Sequence, residues 1–157
     1  MRTTAKVDYA VRAALELAAA QPTDGGARVA VKGAHIAAAQ SIPVKFLESI
    51  LAELKRSGIV GSQRGSEGGY WLARPAAEVS VADIIRAVEG PLADVRGVRA
   101  ESLDYSEDLV SLQRMWVAVR ANLRAVLEQV SLADLNAGRL PPAIEAIADN
   151  EDAWVVR

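Results

Sequence analysis

With 157 residues, 51% of them apolar, the chain is long enough to build one packed core. It has no cysteine, which excludes disulfides, thiolate metal sites and thiol redox sensing within the chain. The net charge of −2 hides a split, with residues 1–75 summing to +4 and residues 76–157 to −6. Such a split suits a face turned toward phosphates, although composition alone can also produce it. No run approaches the roughly 18 consecutive apolar residues of a membrane span. Asp8, Arg12 and Glu16 interrupt any signal-peptide pattern at the N-terminus, so a cytoplasmic protein is expected.

Taken in chain order, Thr4–Ala20 predicts a helix with Val7, Val11, Ala14, Leu15 and Ala18 on one stripe. Pro22-Thr23-Asp24-Gly25-Gly26 breaks it, and Val29-Ala30-Val31 is a candidate short strand. Lys32–Ala39 predicts a short helix, Gln40-Ser41-Ile42 a tight link, and Pro43 the opening of a longer helix that Gly58 stops. Phe46, Leu47, Ile50, Leu51 and Leu54 share one face of that helix, which seeks a core. Two strand-like runs, Ile59–Arg64 and Gly69–Leu72, flank Gly65-Ser66-Glu67-Gly68 as a hairpin. Helix, turn, helix and hairpin in this order make a winged helix-turn-helix. That arrangement places one helix in the major groove of DNA and a basic loop beside it.

Ser80 opens a further helix, with Asp83 placed to complete a capping box and Val81, Ile84, Ile85 and Val88 on its apolar face. Gly90–Tyr105 has no period and reads as a loop. Ser106 then opens the most regular helix, Glu107 to Val130, where Leu109, Leu112, Trp116, Val119, Leu123, Val126 and Val130 form a heptad seam. Val110, Val117 and Leu127 make a second stripe, more apolar surface than one small domain covers, so pairing of this helix in a homodimer is expected over burial within one chain. The fold class is therefore mainly α (α+β). Its expected parts are a DNA-binding domain at 1–90, a loop at 91–105, a dimerisation helix and following turn at 106–136, and a tail at 137–157.

These motifs resemble the Rrf2-type bacterial transcription regulators. The likeness runs over about residues 1–136 and rests on Asp8-Tyr9-Ala10-Val11-Arg12, Ile42–Glu48, the wing run Arg64–Pro75 and Val81–Gly90, with a weaker match at Ser131–Leu135. It implies a homodimeric, sequence-specific regulator, in the role of a repressor, that binds a palindromic double-stranded operator. Many members hold an iron–sulfur cluster with three cysteines in the segment equivalent to Gly90–Tyr105. This chain has none, so the resemblance is to the cysteine-free branch and no cofactor is expected. Regulators of sulfur and cysteine metabolism are similar, some responding through a partner enzyme, so the effector stays open between a small molecule and such an enzyme.

In the recognition helix the exposed candidates for base contact are Val44, Lys45, Glu48 and Ser49. Lys45 can donate to guanine, Glu48 can accept from cytosine N4, and Val44 can meet a thymine methyl. A solvated helix face is the alternative for Lys45 and Glu48; motif context favours contact. In the wing, Arg64 with Gly65 and Ser66 can approach phosphate or a minor groove, unless Arg64 pairs with Glu67. Asp8, a carboxylate ligand in some cluster-holding relatives, is explained by an ion pair with Arg12. His35 is the only histidine, so no metal is expected. No nucleophile–base pair or phosphate-binding lysine loop suggests an enzyme. The competing class is a dimeric adaptor that kept the fold and lost DNA binding, which Lys45, Lys55, Arg56 and Arg64 argue against.

Overall fold

The computed structural model describes residues 3–22 and 27–156. The expected break at Thr23–Gly26 lies outside the described residues. The elements are α1 (Ala5–Ala20), α2 (Gly33–Gln40), α3 (Val44–Arg56), β1 (Val60–Gln63), β2 (Gly69–Leu72), α4 (Val81–Glu89), α5 (Val110–Leu127), α6 (Leu132–Asn136) and α7 (Pro142–Ala148).

Helix α1 begins where the Thr4 hydroxyl accepts from the Val7 N–H at 3.3 Å, a side-chain N-cap. Its buried face is Val7, Ala10, Ala13, Ala14, Leu17 and Ala18, while Val11 and Leu15 are only half-buried. The face is thus rotated from the expected stripe. Small alanines at its centre let neighbouring helices approach closely, and α1 packs against α2, α3, α4, α6 and β2.

In α3, Leu47, Ile50, Leu51 and Leu54 are buried as expected, and Phe46 is not. Phe46 is 56% exposed, with its ring edge-on to Tyr9 at 6.4 Å. The reason is angular: Phe46 precedes Leu47 by about 100° around the helix, outside a face that the other four already complete.

The wing is a two-stranded antiparallel sheet in the register Val60↔Leu72, Gly61↔Trp71, Ser62↔Tyr70, Gln63↔Gly69. The short strand expected at Val29–Val31 is reduced to one bridge, in which Val31 and Tyr70 exchange N–H···O bonds of 2.8 Å.

Helices α4 and α6 both start with a complete capping box, Ser80 with Asp83 and Ser131 with Asp134. The two starts are joined: Val81 N–H donates to Val130 O and Leu132 N–H to Val79 O, each at 2.9 Å. This joint corrects the long helix. It ends at Leu127, and Val130 is buried at 5% exposure beside α4 and α6 instead of extending the heptad seam. Glu107–Leu109 is a 3-10 turn, so regular helix begins at Val110. Segment 91–105 is irregular but packed, with Leu92, Ala100 and Leu103 buried and Gln113 donating to Leu103 O at 2.8 Å. Residues 137–157, expected only as a tail, hold α7 and a 3-10 turn at Glu151–Trp154.

Between α4 and α5, Arg86 pairs with Glu128, which also accepts from Arg124 at 3.0 Å. Hydrogen bonds from Arg124 and then Arg86 hold the Glu128 carboxyl below the ordinary glutamate range. A depressed folded-state pKa contributes stability above the unfolded value and loses it as pH falls through the folded one. Glu128→Gln is therefore expected to lower the melting temperature at neutral pH. The gap to the parent should close as pH falls below about 4. Melts at fixed protein concentration check this, and a gap constant with pH would refute it.

Candidate nucleic-acid interface

The turn between α2 and α3 is set from the far side by α1. Ser41 takes a left-handed conformation at φ 52°, and Arg12 donates to the carbonyl of Gln40 and, at 3.3 Å, to its side chain. The arginine satisfies the end of α2, where carbonyls lack helical partners, and its charge suits the negative end of the helix dipole. Arg12 also pairs with Asp8 at 3.2 Å, as expected. Gln40 donates to Glu16 at 2.7 Å, and His35 Nε2 lies 3.3 Å from Glu16. His35 thus belongs to a polar rim around the turn.

Behind α3, Lys6 pairs with Glu53 at 2.8 Å and donates to Val88 O at 2.7 Å, linking the recognition helix to α4. These contacts fix which side of α3 faces out. Val44, Lys45, Glu48 and Ser49 are all exposed, with Val44 at 56%. None of Lys45, Glu48 and Ser49 makes a side-chain hydrogen bond or ion pair among the described residues. Pro43, the N-cap, supplies no side-chain acceptor, so the first-turn N–H groups of α3 keep their partial positive charge outward.

In the wing, Arg64, Gly65, Ser66 and Glu67 are exposed at the tip, and Gly68 N–H closes the turn on Gly65 O at 3.0 Å. Arg64 does not pair with Glu67 and has no partner among the described residues. The tip is held to the body by Lys32, which precedes α2 and donates to Ser66 O. Lys55 at the end of α3 donates to Ser62 Oγ at 2.8 Å. Sequence reasoning missed Lys32, because nothing local marks a lysine that reaches a loop 34 residues away. Trp71 lies against Gly61, where an added Cβ would stand 2.4 Å from the indole nitrogen, and Arg28 stacks over its ring at 5.3 Å. The structure therefore brings the recognition-helix and wing candidates onto two adjoining exposed elements. It also adds Lys55 as a strut from α3 to the wing and Lys32 as a strut from the start of α2 to the wing tip.

A family model described as Rrf2, iron-dependent transcriptional regulator, matches residues 3–138. The chain belongs to the Rrf2 family. It is 45% identical over 150 residues to an HTH-type transcriptional regulator of Mycobacterium tuberculosis, spanning 96% of this chain and 90% of that one. It is 34% identical over 159 residues to the regulator IscR of Cereibacter sphaeroides, spanning 94% and 96%. Among solved structures, CymR, the global cysteine regulator of B. subtilis, superposes with a TM-score of 0.70 at 27% identity, covering 88% of this chain and 98% of that one. IscR of T. potens gives 0.64 at 30% identity over 100% and 93%. These relatives are transcription regulators and not enzymes, and this Rrf2 protein shares their winged-helix fold.

The family description names iron, and the donor set here does not fit an iron–sulfur cluster. The chain has no thiolate to offer, and Leu92, Ala100 and Leu103 of segment 91–105 are buried apolar side chains that cannot ligate a metal. The Asp8 carboxylate is paired with Arg12. Among the described residues no three of His, Asp and Glu converge as a metal site, and no helix is long and apolar enough to cross a membrane.

The seat of the wing is open to a direct test. A Cβ at Gly69 would stand 2.6 Å from the Val31 carbonyl oxygen, a backbone atom that cannot turn aside. Gly69→Ala is expected to break the Val31–Tyr70 bridge at a cost of about 1–3 kcal/mol. Thermal or urea unfolding measures it, and a variant as stable as the parent would show that the wing is not seated there.

Proposed function

We propose that this Rrf2 protein acts in the cytoplasm as a homodimer that reads a palindromic operator, represses transcription and works without an iron–sulfur cluster. The observation that carries the dimer is α5. None of its 18 residues is fully buried, although Leu112, Trp116, Val119, Leu123 and Val126 line one side and Val110, Met115 and Val117 are 40–45% exposed. A helix about 27 Å long with this much open apolar surface gains most from a second copy of itself. Leu109 extends the same side from the preceding turn, whereas Val130 is already committed to its own chain. Paired helices would set two recognition helices on two half-sites, and a dimer clamped over a promoter blocks access to it. Genes of sulfur or cysteine metabolism are the proposed targets, supported by the likeness to the cysteine regulator CymR.

Trp116→Glu combined with Leu123→Glu is expected to yield monomers or insoluble protein. Sedimentation of the unmodified chain at micromolar concentration should give a dimer, and a monomer there would defeat the proposal.

Positioning and reading separate at two residues. Arg64→Ala should weaken binding to operator and unrelated DNA alike, since a wing arginine chiefly meets the phosphate-lined groove wall. Glu48→Ala should lose about 1–3 kcal/mol of discrimination at one base pair while non-specific affinity holds or rises, because a carboxylate that repels phosphates is gone. Titrations of both variants on operator and scrambled duplex at two salt concentrations test this. An unchanged affinity ratio for Glu48→Ala would make Glu48 a plain surface carboxylate. No binding to any duplex by the parent would favour the adaptor class instead.

A further inference from the structure

Three arginines from three separate elements line one pocket of about 240 Å³: Arg86 of α4, Arg99 of segment 91–105 and Arg120 of α5. Gly90, Pro91 and Leu92 form the rest of its wall, and no carboxylate lines it. Arg86 is engaged by Glu128 and lies 3.7 Å from Asp83, and Arg120 pairs with Glu101 at 2.7 Å. Arg99 makes no side-chain hydrogen bond or close ion pair among the described residues, although its charge helps to hold the Glu101 carboxyl below the ordinary glutamate range. The Nε–H of Arg120 is buried without an acceptor. Two of the three charges are met by carboxylates outside the pocket, so the unused donors are those of Arg99 and the Arg120 Nε–H, and guanidinium geometry matches oxyanions through paired N–H···O bonds. The volume is below the roughly 300–1,000 Å³ of sites for drug-sized ligands, which selects a small ion over a nucleotide.

We infer that this pocket binds a small divalent oxyanion, and that its occupancy tunes DNA binding. The tuning rests on the regulator reading proposed above; the binding does not. An anion held by all three arginines would tie α4, segment 91–105 and α5 into one unit. Its effect has a material route to the recognition helix. Val88, two residues beyond Arg86, offers its carbonyl to Lys6 at 2.7 Å, and the same ammonium pairs with Glu53 of α3 at 2.8 Å. A shift at the end of α4 therefore pulls on α3 through a single side chain.

Arg99 is the residue to change, because its removal breaks no ion pair. The parent protein and Arg99→Gln are titrated with sodium sulfate, sodium phosphate and sodium succinate at ionic strength matched with sodium chloride, following thermal unfolding and calorimetry. The expected result is saturable stabilisation of the parent by at least one oxyanion and not by chloride, with affinity about tenfold or more weaker in Arg99→Gln. Response to sulfate and phosphate alone marks an inorganic ligand, and response to succinate a carboxylate; either supports the oxyanion site. Equal responses of parent and variant, or an equal effect of chloride, overturn it. Operator affinity is then measured with and without the binding anion. A change of about fivefold in the parent and none in Arg99→Gln supports the coupling. Anion binding with unchanged operator affinity overturns the coupling alone, and failure to bind any DNA overturns the regulator reading while leaving the pocket intact.

Discussion

The close approach of α1 to the helices around it governs the whole DNA-binding unit. Ala10, Ala13 and Ala14 are completely buried, and with Leu17 they form the surface on which the α2–α3 pair, α4 and α6 come together. Alanine loses no side-chain entropy on burial and brings backbones near each other. The apolar area needed for stability comes instead from the leucines and isoleucines that meet this face, Leu47, Ile50, Leu51, Leu54, Ile84 and Leu132. A larger residue at position 13 or 14 would push several elements outward at once, because interiors have little room to absorb added volume.

From that packing follows the division of labour on α3. One side of the helix is committed to α1 and α4, and what remains outside is a short polar strip with an uncapped first turn. Arg12 adds the second constraint. It satisfies the end of α2 from α1, so the same helix that supports the core also sets the angle of the helix-turn-helix. The Asp8–Arg12 segment thus serves positioning through an ion pair and a helix cap.

Much of this was legible in the residues because it is encoded locally. Pro43 and Gly58 bracket α3, Ser80 and Asp83 make a capping box within three residues, and Gly65–Gly69 marks a hairpin. Most of the misses depended on partners distant in sequence, whereas Phe46 is excluded by its angle on its own helix. Leu17 outranks Leu15 because of where α3 and α4 lie against α1. Phe46 falls outside the core because four neighbours already fill the face, and Tyr9 meets its ring edge. Val130 continues the heptad numerically, yet the backbone leaves the helix to pair with Val81, and the second capping box at Ser131 begins a new element. Lys32 and Lys55 act on the wing from other elements. Of the DNA-contact candidates, spacing could reveal exposure, and the structure adds that Lys45, Glu48 and Arg64 are unclaimed by intramolecular partners among the described residues.

The paired starts of α4 and α6 have a mechanical consequence. α5 enters from a segment anchored by Leu92 and Leu103, and it leaves through backbone bonds that lock Val130 and Leu132 onto α4. An arm pinned at both ends has no free hinge, so in a dimer built on α5 the separation of the two reading heads is a property of the protein and not of the DNA. Inserting one base pair between half-sites turns one of them by about 34° around the duplex axis. A protein jointed in this way behaves as a caliper. In the proposed dimer, the spacing of the half-sites would then be read by the protein along with their sequence.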